Sequence, residues 1–303
     1  MSSLVYLYLI IGLVLISYGA NVLVSSTEDI SKKFNISKFI SSFIFIGLAT
    51  SSPEIFISII SSLEGKGNIA IGNALGSNIA NIALVFALTI LLFGSNITEK
   101  NKILSKEIKG FMIIALLLSI LVYPVLIDGT VSKNESASLL LFFVISFYFY
   151  NKYFYSNGGM KINQKHIHGV LVFISLIFGL FLLLIGTNIF LDNSITIAKS
   201  FGLTDYVIGL SITAIGTSIP ELASSIESAR KKNFDFIVGN ILGSNIFNIA
   251  IVISVVGIID NHLTQALSII DVMRDILMIL ITTAVFYIII KNYNQYLTKM
   301  LCS

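Results

Sequence analysis

Predominantly apolar runs of about 20 residues follow one another along this chain, at about 4–24, 38–62, 69–94, 108–127, 136–154, 169–190, 205–228, 236–258 and 273–291. A helix rising 1.5 Å per residue needs about 20 residues to cross roughly 30 Å of hydrocarbon. Lipid offers the backbone no hydrogen-bond partner, so a run of this length predicts a helix that satisfies its own peptide groups. The pattern therefore predicts an all-α polytopic membrane protein with nine visible spans.

The polar residues inside these runs are not scattered. Thr50-Ser51-Ser52-Pro53-Glu54, followed by Gly72-Asn73-Ala74-Leu75-Gly76-Ser77-Asn78-Ile79-Ala80-Asn81, recurs 167 residues later. The second copy reads Thr217-Ser218-Ile219-Pro220-Glu221, then Gly239-Asn240-Ile241-Leu242-Gly243-Ser244-Asn245-Ile246-Phe247-Asn248. Gly12, Gly19 and Asn21 of the first span match Gly179, Gly186 and Asn188 of the sixth, and 19 of the 52 positions aligned between 34–85 and 201–252 are identical. Shared greasiness would pair Leu with Ile; it would not align Thr, Ser, Pro, Glu, Gly and Asn in one order. Equivalent points lie five spans apart, an odd number, so the second copy enters the membrane from the opposite side. The expected organisation is two inverted-topology repeats of about five helices: 1–155, a polar cytoplasmic linker at 156–168, and 169–303. The counterpart of the fifth span would begin near residue 304, so the tenth helix is expected to be missing.

Composition agrees. The chain has 303 residues, 55% hydrophobic and 12% charged, with mean hydropathy +0.92, against about 25% charged in soluble proteins. Fifteen of its 19 lysines and arginines fall in or beside 25–37, 95–107, 155–168, 229–235 and the C-terminal tail; Lys66, Lys133, Lys199 and Arg274 fall on the other side. The positive-inside rule then places the N-terminus outside and, with nine helices, the C-terminus in the cytoplasm of a cell (plasma or inner) membrane protein. The net charge of +3 is spread over loops with no recognition motif, which argues against nucleic acid. A lone Cys302 excludes a disulfide framework. The first apolar run has no basic leader or cleavage site and belongs to the repeat, so it is read as a retained span.

Glu54 and Glu221 are the two acidic residues set deep within spans. A carboxylate at the bilayer centre costs about 2.5–3.5 kcal/mol on insertion scales. No Lys or Arg lies at equivalent depth, so a packing role explains neither. Pro53 and Pro220 precede them and are expected to break each helix, freeing carbonyls near Gly47 and Ala214. Those carbonyls, the hydroxyls of Thr50, Ser51, Thr217 and Ser218, and two carboxylates make an oxygen-only ligand set of the kind hard cations such as Ca²⁺ take. All three histidines lie outside the spans. Ser77 and Asn81, like Ser244 and Asn248, are spaced i, i+4 and share a helix face. Gly72/Gly76 and Gly239/Gly243 read first as close-packing positions. A phosphate-cradling loop is absent from the sequence, so ATP is not the expected energy source and no cofactor or nucleotide partner is implied.

Both segments, in both halves, resemble the two alpha-repeats of the cation/Ca²⁺ exchanger superfamily, with the prokaryotic sodium/calcium exchangers the nearest branch. The resemblance covers nearly the whole chain. It implies an antiporter, not an enzyme, that trades Na⁺ for Ca²⁺ by alternating access, as a monomer in the lipid bilayer. By position it implies that Glu54 and Glu221 bind both ions. Thr50, Ser51, Ser77, Thr217, Ser218 and Ser244 would add hydroxyls, and Gly47 and Ala214 backbone oxygens. Ala49 stands where the motif usually has Gly. Asn248 stands where the potassium-dependent branch has an acid, so potassium independence is expected. A cation/proton exchanger of the same superfamily is the first alternative, but those relatives carry a Glu after the Gly-Asn pair, where Ala74-Leu75 and Ile241-Leu242 stand. A passive cation channel could use the same oxygens and is the second.

Overall fold

The computed structural model describes residues 3–94, 105–153, 169–202, 216–260 and 268–301, and among these every regular element is a helix. We number them α1 (Ser3–Phe34), α2 (Lys38–Thr50), α3 (Ser52–Leu63), α4 (Gly67–Phe93), α5 (Lys106–Leu126), α6 (Lys133–Tyr153), α7 (Gly169–Ser200), α8 (Ile219–Arg230), α9 (Phe234–Ile259) and α10 (Ile269–Leu301). Among the described residues, six are long and apolar enough to cross a membrane: α1, α4, α5, α7, α9 and α10 over Ile269–Lys291. The α2–α3 pair, bent by 42° at its break, makes a seventh if counted as one span. The predicted span at 136–154 is helical as α6, but Lys133, Glu135 and Lys152 shorten its apolar stretch. Of the predicted span at 205–228 only 216–228 is described, and the 156–168 linker lies outside the described residues.

The sequence repeat is a structural one. α3 and α8 begin and end at positions 167 apart, and so do the first segments of α4 and α9, Gly67–Ala80 and Phe234–Phe247. Both of these then loosen into a π-helical turn opening on an equivalent asparagine, Asn81 in Asn81–Phe86 and Asn248 in Asn248–Val252. Such turns gather at functional sites because they release backbone carbonyls from the regular ladder.

Small residues set the pairing of the halves. A Cβ added at Gly19 would stand 2.5 Å from the Leu183 amide nitrogen, and one at Gly186 would stand 2.9 Å from the Gly12 carbonyl. Gly12 thus meets Gly186, and Gly19 meets Gly179. Each glycine contacts the repeat equivalent of the other, the reciprocity of a two-fold axis. The register runs 12 to 186 and 19 to 179, so α1 and α7 are antiparallel. These two repeat-equivalent helices thus point in opposite directions.

α4, α9 and α2 form the middle of the bundle. Every residue of Phe234–Phe247 except its first two is buried. Gly239 and Gly243 let this helix touch α2, whose Phe39 and Phe43 carbonyls lie 2.6 and 2.7 Å from where their Cβ atoms would be. The α2 residues that meet them have repeat equivalents at 206–214, outside the described residues. Phe39, Phe43, Phe111 and Phe247 meet in tilted ring contacts within one apolar cluster where α2, α5 and α9 pack. A second cluster joins α1, α7 and Phe236. Leu7, Val14, Phe178 and Phe181 face outward, as lipid-facing side chains do.

Candidate functional site

Both glutamates sit in the first turn of a helix. α2 ends at Thr50, Ser51 leaves helical geometry (φ −80°, ψ 2°), and α3 restarts at Ser52 with Pro53 next and Glu54 after it. The second half repeats this with Ser218 (φ −89°, ψ 4°), Ile219, Pro220 and Glu221. Proline in a first turn loses nothing, since the amide it lacks would have had no intrahelical acceptor. The carboxylates consequently face the positive ends of two helix dipoles.

Glu54 and Glu221 are both fully buried, as are Thr50, Ser51, Ser244, Asn81 and Asn248; Ser77 and Ser218 are nearly so. Among the described residues neither carboxylate has a basic partner. Glu54 Oε1 accepts from Ser77 Oγ at 3.4 Å, while Glu54 Oε2 and both oxygens of Glu221 have no hydrogen-bond partner. The hydroxyls of Thr50 and Ser244 lie 3.2 Å apart, and Asn240 links Thr50 Oγ1 to the Glu221 backbone carbonyl. Ser51 Oγ, Ser218 Oγ, Asn81 Oδ1 and both polar atoms of Asn248 also lack protein partners. Buried polar atoms in proteins are nearly always paired, so these oxygens are free to ligate a cation. Among the described residues no three His, Cys, Asp or Glu side chains cluster. The donor set is two carboxylates plus neutral oxygens, which suits Na⁺ or Ca²⁺ and not a soft metal.

Of the expected residues, Thr50, Ser244 and the Gly47 carbonyl meet, and Ser77 reaches Glu54. Gly47 O is not left free by proline. It accepts from Ser51 N at 3.1 Å, Ser244 Oγ at 3.3 Å and Thr50 Oγ1 at 3.4 Å. The carbonyl four residues before Pro53 is Ala49 O, which accepts Ser52 Oγ at 2.7 Å. Gly47 O still points among the site hydroxyls, because the π-helical turn Ser42–Gly47 ends there. Ala214 lies outside the described residues. Thr217 is only half-buried, with Oγ1 3.5 Å from Asn73 Oδ1.

Several polar residues escaped the sequence reading. Asn240 is fully buried, accepting Thr50 Oγ1 at 3.1 Å and donating to Glu221 O, Ser224 Oγ and Ser225 Oγ. Asn78 and Asn245 bond each other's backbone, and Asn81 Nδ2 donates to Asn245 Oδ1 at 3.0 Å. Their signal was present, since each asparagine occurs in both copies of the motif. Glu227, two turns beyond Glu221, accepts from Asn21 of α1 at 2.8 Å and lies 3.7 Å from Lys231 and Arg230. Lys231 also bonds Ser25 of α1, so a polar network ties one end of α1 to α8.

Two cavities lie at repeat-equivalent places, Ser52 and Phe56 in one answering to Ile219 and Ala223 in the other. One, of about 600 Å³ between α7 and α3, is lined by Ser52, Pro53, Phe56, Leu191, Thr217 and Pro220, the neighbours of both glutamates. The other, of about 260 Å³ between α1 and α8, is lined by Ser17, Ala20, Ile219 and Ala223 and ends at Glu227 and Arg230.

Comparison with known proteins gives three findings. A family model described as "Sodium/calcium exchanger protein" matches residues 4–151 and 171–302. The inner membrane protein YrbG of Escherichia coli (strain K12) is 33% identical over 261 residues, 83% of this chain and 78% of that one. The sodium/calcium exchanger MaX1 of Methanosarcina acetivorans is 27% identical over 84% of this chain and 82% of its own. Among solved structures, the sodium-calcium exchanger NCX_Mj soaked with Na⁺ and Sr²⁺ superposes with a TM-score of 0.78 at 30% identity, covering 96% of this chain and 92% of that one.

Proposed function

The chain belongs to the sodium/calcium exchanger protein family, and from that premise we propose a secondary-active antiporter that exchanges Na⁺ for Ca²⁺ by alternating access, without a need for K⁺. The observation that carries this reading is the pair of fully buried glutamates at two helix N-termini, one from each half, with three of their four carboxylate oxygens unpartnered. Two carboxylates balance one Ca²⁺ or two Na⁺, and binding one set at the expense of the other is what exchange requires. Glu54 and Glu221 hold the charge. Thr50, Ser51, Ser77, Thr217, Ser218, Ser244, Asn81, Asn248 and the carbonyls of Gly47 and Ala214 supply neutral oxygens. Sites at the interface of inverted repeats, approached by half-helices, are a recurring transporter design.

Alternating access draws support from the two unequal, repeat-equivalent cavities. Exchanging their roles would carry the site from one side to the other. The lysine and arginine bias puts the N-terminus and the α3–α4 turn outside and the α8–α9 turn inside, so the larger cavity lies on the outer path. The halves 1–155 and 169–303, joined by a cytoplasmic linker at 156–168, work as one monomeric unit in the cell membrane. Potassium independence rests on Asn248, whose amide leaves the site at a formal charge of −2.

Purified protein in liposomes loaded with Na⁺ should take up ⁴⁵Ca²⁺ when diluted into Na⁺-free medium, and the uptake should vanish when the sodium gradient is collapsed. Uptake driven by a proton gradient with no sodium present would replace this reading with cation/proton exchange.

A further inference from the structure

A hydroxyl that ligates a cation must turn its single proton elsewhere and present a lone pair. Around Thr50 Oγ1 the acceptors are Asn240 Oδ1 at 3.1 Å, Ser244 Oγ at 3.2 Å and Gly47 O at 3.4 Å. Ser244 and Gly47 belong to the ligand set themselves, so a proton given to either would occupy an oxygen the ion needs. Asn240 Oδ1 is the acceptor outside that set. Its amide has one orientation: Nδ2 lies 3.2 Å from the Glu221 carbonyl, which can only accept, and 3.0 Å from both Ser224 Oγ and Ser225 Oγ. A flipped amide would set two carbonyl oxygens against each other.

The other half repeats the arrangement. Thr217 Oγ1 donates to Asn73 Oδ1 at 3.5 Å, so each half's asparagine receives the proton of the other half's threonine. The geometry points to Asn240 and Asn73 as positioning residues that hold the Thr50 and Thr217 hydroxyls lone-pair-first toward the transported cation. This rests on the transport reading given above. Asn240 also grips the first turn of α8 through Glu221 O. Asn73 Nδ2 has no partner, so Asn73 does little besides accept from Thr217. The Asn73 pair is therefore the cleaner one to test.

The experiment measures initial sodium-driven ⁴⁵Ca²⁺ uptake against calcium concentration for wild type, Asn73→Leu, Thr217→Val and the double variant, with melting temperatures alongside. Each single change should raise the half-saturating calcium about tenfold, the size of one lost oriented contact to an ion. The maximal rate and melting temperature should stay near wild type. The double variant should be no worse than either single one, because both remove the same oriented oxygen, and Thr217→Ser should keep wild-type affinity. For Asn240→Leu with Thr50→Val the melting temperature should drop as well, since three donor contacts are lost, but the two affinity losses should again not add. Unchanged affinity in Asn73→Leu, or losses that multiply in both double variants, would overturn the positioning role alone. Wild-type protein with no sodium-driven uptake would overturn the transport reading, and this role with it.

Discussion

Asn78 and Asn245, 167 residues apart, donate to each other's backbone carbonyl at 3.0 and 3.2 Å. A residue that bonds its own repeat equivalent lies on the axis relating the halves, so this pair fixes where α4 and α9 cross. Interhelical hydrogen bonds in membranes average about 0.6 kcal/mol and reach about 1.7 kcal/mol. Asn245→Ala should therefore cost about 1–3 kcal/mol, because Asn245 also accepts from Asn81. Asn78→Ala should cost less, and the double variant less than the sum. Melting temperatures in detergent check this; equal costs for the two single variants would remove Asn81 from the account.

Topology gives a second prediction. With Cys302 replaced by serine, cysteines at the exposed Lys66 and Lys232 should react with an impermeant thiol reagent from opposite faces of the membrane, Lys66→Cys from outside. Labelling of both from one face would contradict the antiparallel halves.

Much of this was legible in the amino-acid order. The Pro-Glu pairs marked the starts of α3 and α8, and the repeat offset predicted element boundaries that the structure reproduces in α3/α8 and α4/α9. Hydropathy alone ended the first span at residue 24, yet α1 continues to Phe34. Thr27, Glu28, Lys32 and their neighbours are polar enough to leave the lipid but have no reason to leave a helix, and Glu28 pairs with Lys32 one turn on. The same cause carries α7 to Ser200.

The π-helical turns at Asn81 and Asn248 had no signature in local propensity. For the same reason the Gly47 carbonyl was expected near a break made by Pro53, whereas it is the turn Ser42–Gly47 that brings it among the hydroxyls. Asn240 was visible as half of a repeated Gly-Asn pair, but its partner, Thr50, lies 190 residues away. Only the folded chain names it.

Asn248 separates two kinds of exchange. It is fully buried with neither polar atom partnered, and as an amide it contributes oxygen without charge. Calcium uptake by the wild type should be the same with and without potassium on the calcium side. Asn248→Asp adds a third carboxylate, which favours an additional monovalent cation, so its uptake should rise when potassium is supplied. A potassium requirement in the wild type would refute this reading of Asn248.

The central claim is that one carboxylate from each inverted half shares the transported cation. Sodium-driven ⁴⁵Ca²⁺ uptake by Glu54→Gln and Glu221→Gln, reconstituted at matched protein levels, tests it most directly. Either change leaves a single negative charge facing a divalent ion in a buried site, where Coulomb terms are several times larger than in water. Uptake should fall at least about a hundredfold in each variant, with melting temperatures at or above wild type because a buried, unpaired charge has been removed. Near-normal calcium flux in either variant would contradict the shared site.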